Sequence, residues 1–260
     1  MDRSVDGTER RLRPPSLFLM LAEARGVLEL NSSLLLSPLL MQAPKGDGHP
    51  VLALPGFLAS DLSMAPMRRY LKELGYDAYA WNMGRNFGGI SSRRGALRDL
   101  LKRVHEATGR KVSIIGWSLG GVYARDLASQ FPELVRSVIT LGSPFAGPPR
   151  STNAWRVYEL ASGRRADEED PRFGGSLAEP TPVPTTAIYS RTDGICAWQG
   201  CKEKTSAKTE SIEVESSHCG MGHHPAAVYA VADRLAQPEG KWKPFDRSGW
   251  RAILFPDPNR

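Results

Sequence analysis

Short apolar runs recur along this chain, and between them apolar residues return at helical spacing. Residues 49–54, 77–81, 111–115, 135–141, 185–190 and 211–215 have the length and composition of strands. Residues 63–74, 92–108, 121–130 and 225–235 read as helices; apolar positions of the second include Leu97, Leu100, Leu101 and Val104. Strands alternating with helices at this spacing predict a mostly parallel sheet of about six strands with helices on both faces. Right-handed crossovers then put the carboxyl ends of the strands on one edge, where loops that carry chemistry collect.

Three stretches break the rhythm. Residues 146–184 are too long for a plain connection and hold a helix-like piece over 155–161, which predicts a small cap or lid over that edge. Residues 1–45 form an N-terminal arm. Its first fifteen residues, charged, polar and ending in Pro14-Pro15, are expected to be disordered. Residues 16–30 read as an amphipathic helix with Leu17, Leu21, Ala24 and Leu28 on one face, and Pro38 is expected to break a second apolar piece over 34–41. Packing on the body is the simplest role for this arm, with covering an active-site mouth or peripheral contact with a membrane surface as sharper ones. Residues 46–260 then form one α/β domain with the cap inserted at about 146–184. The tail over 241–260 carries Trp242, Phe245, Trp250, Ile253, Leu254 and Phe255 and is expected to pack on that domain.

Composition changes this picture little. With 260 residues and 41% hydrophobic content, the chain is long enough for one large core. The net charge of +6 is spread widely, with a concentration over 93–111, and no basic stretch is interleaved with aromatics as a nucleic-acid groove would be. The surplus reads as a solvated basic surface, or as attraction to anionic lipid or substrate. Arg10, Arg11 and Arg13 before an apolar run resemble a secretory leader superficially. Glu23 and Arg25 interrupt the run, however, and no small-residue cleavage site follows. No segment is long enough to span a bilayer. These features predict a cytoplasmic protein, with secretion left open. Cys196, Cys201 and Cys219 lack metal-ligand spacing, and either one disulfide or three free thiols fits them.

The chemistry begins at Gly116-Trp117-Ser118-Leu119-Gly120, a G-x-S-x-G pentapeptide placed between a strand and a helix. A turn that tight strains the serine backbone and holds its hydroxyl up at the carboxyl edge of the sheet. A serine hydroxyl needs a base, and the base needs an orienting acid. Asp193 lies in a glycine turn after the fifth predicted strand. Asp126 and Asp233 sit on predicted helices, and the run Asp167, Glu168, Glu169 and Asp170 in the cap reads as solvated. Among the histidines, His49 is at the wrong end of the sheet and His105 is on a helix. His218 stands just past the last strand, while His223 and His224 read as the start of the following helix. His218 is therefore the base, with His223 second. A metal reading of these three histidines leaves the pentapeptide unexplained. Two backbone N–H donors are needed for an oxyanion; Leu119 supplies one and Phe57, in the Pro55-Gly56-Phe57 turn, the other.

With these residues in place the chain resembles the α/β-hydrolase superfamily, most closely its compact lipase and esterase branch. The resemblance covers about residues 46–236 and rests on Leu54-Pro55-Gly56-Phe57, the pentapeptide, Leu141-Gly142-Ser143-Pro144, the stretch 190–194 and Ser217-His218. Members often carry His-Gly where this chain has Pro55-Gly56, and the helical arm replaces the first two strands of the full fold. The resemblance implies an α/β-hydrolase fold and a carboxylic ester hydrolase, an esterase or lipase, working through an acyl-enzyme. Ser118 is the nucleophile, His218 the base, Asp193 the acid, and no cofactor or metal is needed. Phe57, Leu58, Trp117 and Leu119, with Trp155 and Tyr158 of the cap, suggest a pocket for an apolar acyl group. An acyltransferase or thioesterase with the same three residues is the alternative, and a non-catalytic binding protein on this fold a further one.

Overall fold

The computed structural model describes residues 12–163, 165 and 175–258. The expectation of disorder over 1–15 lies mostly outside these residues, and the acidic run 167–170 wholly so. Six strands build one sheet: β1 (Pro50–Leu54), β2 (Asp77–Ala80), β3 (Val112–Trp117), β4 (Val135–Leu141), β5 (Thr185–Tyr189) and β6 (Thr209–Glu213). Their order is β2-β1-β3-β4-β5-β6, and every neighbouring pair is parallel. The last strand begins and ends two residues earlier than the apolar pattern predicts. Its ladder to β5 pairs Thr185 with Thr209, which sets that start.

Nine helices accompany the sheet among the described residues: α1 (Leu17–Leu21), α2 (Gly26–Leu35), α3 (Ser37–Leu40), α4 (Ala65–Glu73), α5 (Ile90–Thr108), α6 (Leu119–Gln130), α7 (Trp155–Ser162), α8 (Pro225–Leu235) and α9 (Arg251–Leu254). Alternate strand residues feed two cores. Val51, Ala53 and Ile115 face Met67 and Leu71 of α4 and Val231 of α8. Leu52, Leu54 and Ile114 face the Leu97–Val104 side of α5 and Val122 and Leu127 of α6. Burial on both faces explains why the strands read as continuous apolar runs rather than alternating ones. In the tail, Phe245 and Phe255 join the first core, as expected, whereas Trp250, Ile253 and Leu254 remain exposed.

The arm departs from expectation. Pro38 begins α3 instead of breaking a helix, because proline at a first helical turn gives up no hydrogen bond. A 3-10 turn, Ala22–Arg25, joins α1 to α2. The apolar positions expected to pack inward, Leu17, Leu21, Ala24 and Leu28, are exposed, while Glu23, Gly26 and Glu29 are buried. Backbone N–H groups at the sheet edge are the reason, since a buried carboxylate can satisfy donors that a leucine cannot.

Helix α6 is locked in place by a buried ion pair. Arg125, on α6, pairs with Glu203; both side chains are almost wholly buried. The guanidinium also donates from Nε to the Leu177 carbonyl (2.9 Å) and from Nη2 to the Glu179 carbonyl (2.7 Å), and it lies over the Phe145 ring. Removing one partner strands the other charge in a dry interior. Glu203→Ala is expected to destabilise the protein by about 3–5 kcal/mol in denaturant unfolding, and a loss below about 1 kcal/mol would show that the pair is not structural.

Candidate active site

The turn from β3 into α6 is set by two close approaches. A Cβ at Gly116 would lie 2.3 Å from the Gly120 carbonyl oxygen, and one at Gly120 would lie 2.3 Å from that of Leu54. Between them Ser118 takes φ 53° and ψ −122°, a conformation that costs a non-glycine residue of order 1–3 kcal/mol. Its N–H donates to the Leu141 carbonyl at 2.8 Å. The hydroxyl lines a half-open cleft of about 80 Å³ with Phe57, Leu119, Trp155, Tyr158 and Cys196.

Asp193 and His218 come from the loops after β5 and β6 and meet as a buried pair. His218 Nδ1 and Asp193 Oδ2 are 2.7 Å apart. The second carboxylate oxygen accepts from the Ile195 N–H (2.8 Å) and the Cys196 N–H (2.7 Å), so the acid cannot turn away. With Nδ1–H committed to Asp193, Nε2 is left as the basic nitrogen. Burial by itself pushes the imidazole down, but the Asp193 carboxylate, with Cys196 beside it, overrides this and holds His218 well above its ordinary value. The Trp117 indole N–H donates to the His218 carbonyl at 3.1 Å, tying the His218 loop to the serine turn. Ser118 stands at the same edge without a hydrogen bond to His218 among the described residues. Such bonds are often long before substrate arrives.

The Pro55-Gly56-Phe57 turn packs directly against the serine: a Cβ on Gly56 would sit 3.2 Å from Ser118 Cβ. Neither the Phe57 nor the Leu119 N–H donates to another protein group among the described residues. The turn is held by Asn86, which is fully buried. Its Nδ2 donates to the Pro55 carbonyl (3.0 Å), its Oδ1 accepts from the Tyr123 hydroxyl (3.0 Å), and its carbonyl accepts from the Leu58 N–H (2.7 Å). Sequence reasoning passed over Asn86, the one uncharged polar side chain within a glycine-rich loop.

Other expectations shift. Trp117 and Leu58 do not line the cleft; the Trp117 ring lies edge-on to His223 instead. His49 is buried at the foot of β1, held between Asp47 and Ser113. His224 precedes α8, and His223 bonds the Gly26 carbonyl of the arm at 3.0 Å. All three cysteines are free thiols. Ligand atoms of Asp193, Cys196 and His218 lie within 4.8 Å of one another. Metal binding would need a Cys196 thiolate, but the bond with Cys201 and burial both push that thiol up. It would also cost the Asp193–His218 bond. Nothing in this donor set favours a metal over the pair as it stands.

A profile of the alpha/beta hydrolase fold family matches residues 49–178, half of the chain. The chain belongs to the α/β-hydrolase fold family. No curated protein sequence matches this chain. Solved structures with the same fold include Bacillus licheniformis lipase BlEst2 in its mature form, at 14% identity and TM-score 0.56 over 76% of this chain and 95% of that one. Aspergillus fumigatus lipase B matches at 16% identity and TM-score 0.53, over 75% of this chain but only 54% of the lipase. Paleococcus ferrophilus monoacylglycerol lipase matches at 14% identity and TM-score 0.52, over 73% and 96%.

The charge on Asp193 is expected to make a measurable difference to His218. In a pH titration followed by ring nitrogen and proton shifts, His218 is expected to titrate above the ordinary imidazole value of about 6.5. Asp193→Asn removes the largest raising influence, so the midpoint should fall. An unchanged midpoint would mean that Asp193 does not govern the imidazole.

Proposed function

We propose that this hydrolase cleaves carboxylic esters through a covalent acyl-enzyme on Ser118. The observation that carries the reading is the buried 2.7 Å His218–Asp193 pair at the edge where a strained Ser118 opens into an apolar cleft. Ser118 Oγ attacks the ester carbonyl carbon as His218 Nε2 takes its proton. Asp193 stabilises the imidazolium. The Phe57 and Leu119 N–H groups, neither of which donates to another group among the described residues, bind the oxyanion. Collapse breaks the bond to the leaving oxygen, which receives the proton from His218. Water then attacks the acyl carbon with His218 again as base, releasing the acid and restoring Ser118. Trp155 and Tyr158 of α7 form one wall of the cleft, which supports the reading of residues 146–184 as a cap over an apolar acyl group.

Hydrolysis of p-nitrophenyl esters graded from short to long acyl chains tests this. Ser118→Ala is expected to lower kcat/KM by on the order of 10⁴ or more, and His218→Ala by a similar factor. His223→Ala should keep most of the activity. Equal hydrolysis by wild type and Ser118→Ala would remove the serine mechanism, and transfer to an added alcohol in preference to water would make the protein an acyltransferase.

The arm's outer face supports peripheral contact with an anionic lipid surface. Leu17, Phe18, Leu21, Val27, Leu28, Leu34 and Leu35 are exposed there, Phe18 at 77% and Leu35 at 82%. Among the described residues of the arm, both carboxylates, Glu23 and Glu29, are turned inward, whereas Arg13 and Lys45 are exposed, so the described outer face is apolar with cations on either side of it in the chain. No described helix is long and apolar enough to cross a membrane. The protein is expected to sediment with vesicles of mixed phosphatidylglycerol and phosphatidylcholine, and less so at high salt. Replacing Leu17, Phe18 and Leu21 together by serine should weaken binding at least about tenfold. Indifference to anionic and neutral vesicles alike, or a stable dimer that buries this face, would overturn the contact.

A further inference from the structure

The loops that carry Asp193 and His218 leave separate strands, and among the described residues one carboxylate bonds both of them. Glu23, in the 3-10 turn of the arm and only 9% exposed, accepts through Oε1 from the Gly194 N–H (2.7 Å) and the His218 N–H (2.9 Å). Its Oε2 accepts from the Cys219 N–H at 2.7 Å. Three backbone donors therefore converge on one buried anion, and they belong to the residue after Asp193, to His218 itself and to the residue after it. Charge-assisted bonds of this length are short and directional.

The neighbours of Glu23 complete the tie. Arg25 donates through Nη2 to the Thr192 carbonyl and hydroxyl, both at 2.8 Å, which holds the residue before Asp193. Glu29 accepts from the Ser217 N–H (2.8 Å) and the Ser217 hydroxyl (2.6 Å), which holds the residue before His218. Burial opposes the Glu29 charge, yet these Ser217 bonds keep its carboxyl below the ordinary value. The arm also rests directly on the acid loop: a Cβ at Gly194 would fall 2.2 Å from the Leu19 carbonyl oxygen.

We propose that Glu23 is a positioning residue of the active site, a carboxylate from the N-terminal arm that sets the spacing of the Asp193 and His218 loops. The proposal rests on the ester-hydrolase reading for its kinetic consequence and on the geometry above for its structural one. Glu23 touches neither substrate nor the reacting atoms. It acts by fixing two backbones, so its loss misplaces His218 relative to Asp193 and Ser118, and misplacement by about 1 Å can cost about 10² in rate. Ground-state substrate binding in the Trp155–Tyr158 cleft does not depend on it.

Two full-length variants test this, each checked for fold by circular dichroism and thermal melting. Glu23→Ala is expected to lower kcat about 10²-fold on a p-nitrophenyl ester with KM changed less than about threefold. The acid limb of its pH profile should move down, because a loosened Asp193 no longer raises the imidazole. Glu23→Gln keeps one acceptor oxygen but turns an amide N–H₂ toward backbone donors, so an intermediate loss of about tenfold is expected. In parallel, the far-downfield His218 Nδ1–H proton resonance should broaden or vanish in Glu23→Ala and weaken in Glu23→Gln. If Glu23→Ala does not fold, Glu23→Gln decides alone. Wild-type kcat and an unaltered resonance in a folded variant would overturn the proposal. Should the wild type cleave no ester, the hydrolase reading fails, and the resonance by itself then decides whether Glu23 holds the two loops.

Discussion

Strand β1, strand β3 and the first turn of α6 meet with no room for a side chain. A single methyl group on Gly120 would strike the Leu54 carbonyl, and one on Gly116 would strike the Gly120 carbonyl. The approach is possible only because β1 and β3 are neighbours in the sheet, with Leu54 paired to Gly116. It drives the chain into the φ 53° conformation that lifts Ser118 over the sheet edge. It also brings Gly56 against the same serine. Strain of a few kcal/mol at one residue persists because the surrounding core over-determines it. Arg125 on α6 and its partner Glu203 contribute to that, since the helix cannot retreat without breaking a buried ion pair.

The other half of the site has no such backbone lock. The loops after β5 and β6 are polar, and four of their N–H groups, those of Gly194, Ser217, His218 and Cys219, point toward the arm. Apolar packing would hold such loops weakly, because it is non-directional and tolerates sliding. A buried carboxylate is different: it must be surrounded by donors, and every donor lost costs the desolvation it was compensating. Glu23 and Glu29 thus place the arm and the loops at once. The same requirement turns the arm's leucines outward, since one face of a short helix cannot present both carboxylates and leucines to the same sheet edge.

That division explains what the residues disclosed in advance. Ser118, Leu119 and the strand–turn–helix around them are local, and the pentapeptide Gly116–Gly120 states the steric requirement in adjacent positions. The parallel sheet follows from apolar runs such as 135–141, whose periodicity reports burial on both faces. Asp193 and His218 were legible through order and position, as polar residues in turns just past apolar strands. Asn86 was not, because its partners, Pro55 and Tyr123, lie 31 and 37 positions away and no local pattern marks them. The arm was misread for a related reason. Leu17, Leu21 and Leu28 carry the periodicity of a packed helix, and periodicity identifies a face without saying which way it points. Glu23, Gly26 and Glu29, three apart on the opposite side, were the available signal. Two acids bracketing a glycine in a leucine-rich segment make sense if donors and a close backbone approach await them, and Gly26 does lie against the Gly220 backbone.

Energetically, the arm is linked to the site in both directions. Ordering it costs conformational entropy of about 1–2 kcal/mol per residue, and its outward leucines recover none of that from the core. What offsets it is the set of charge-assisted bonds to loops 192–194 and 216–219, the His223 bond to the Gly26 carbonyl, and the burial of Leu40 and Ala43 in the first core. Any surface that covers the outer face adds stabilisation to the ordered arm alone. By thermodynamic reciprocity it then favours the arrangement of Asp193 and His218 that the ordered arm supports. A helix whose polar side grips two loops and whose apolar side is left open is, for that reason, a coupling element rather than a decoration on the fold.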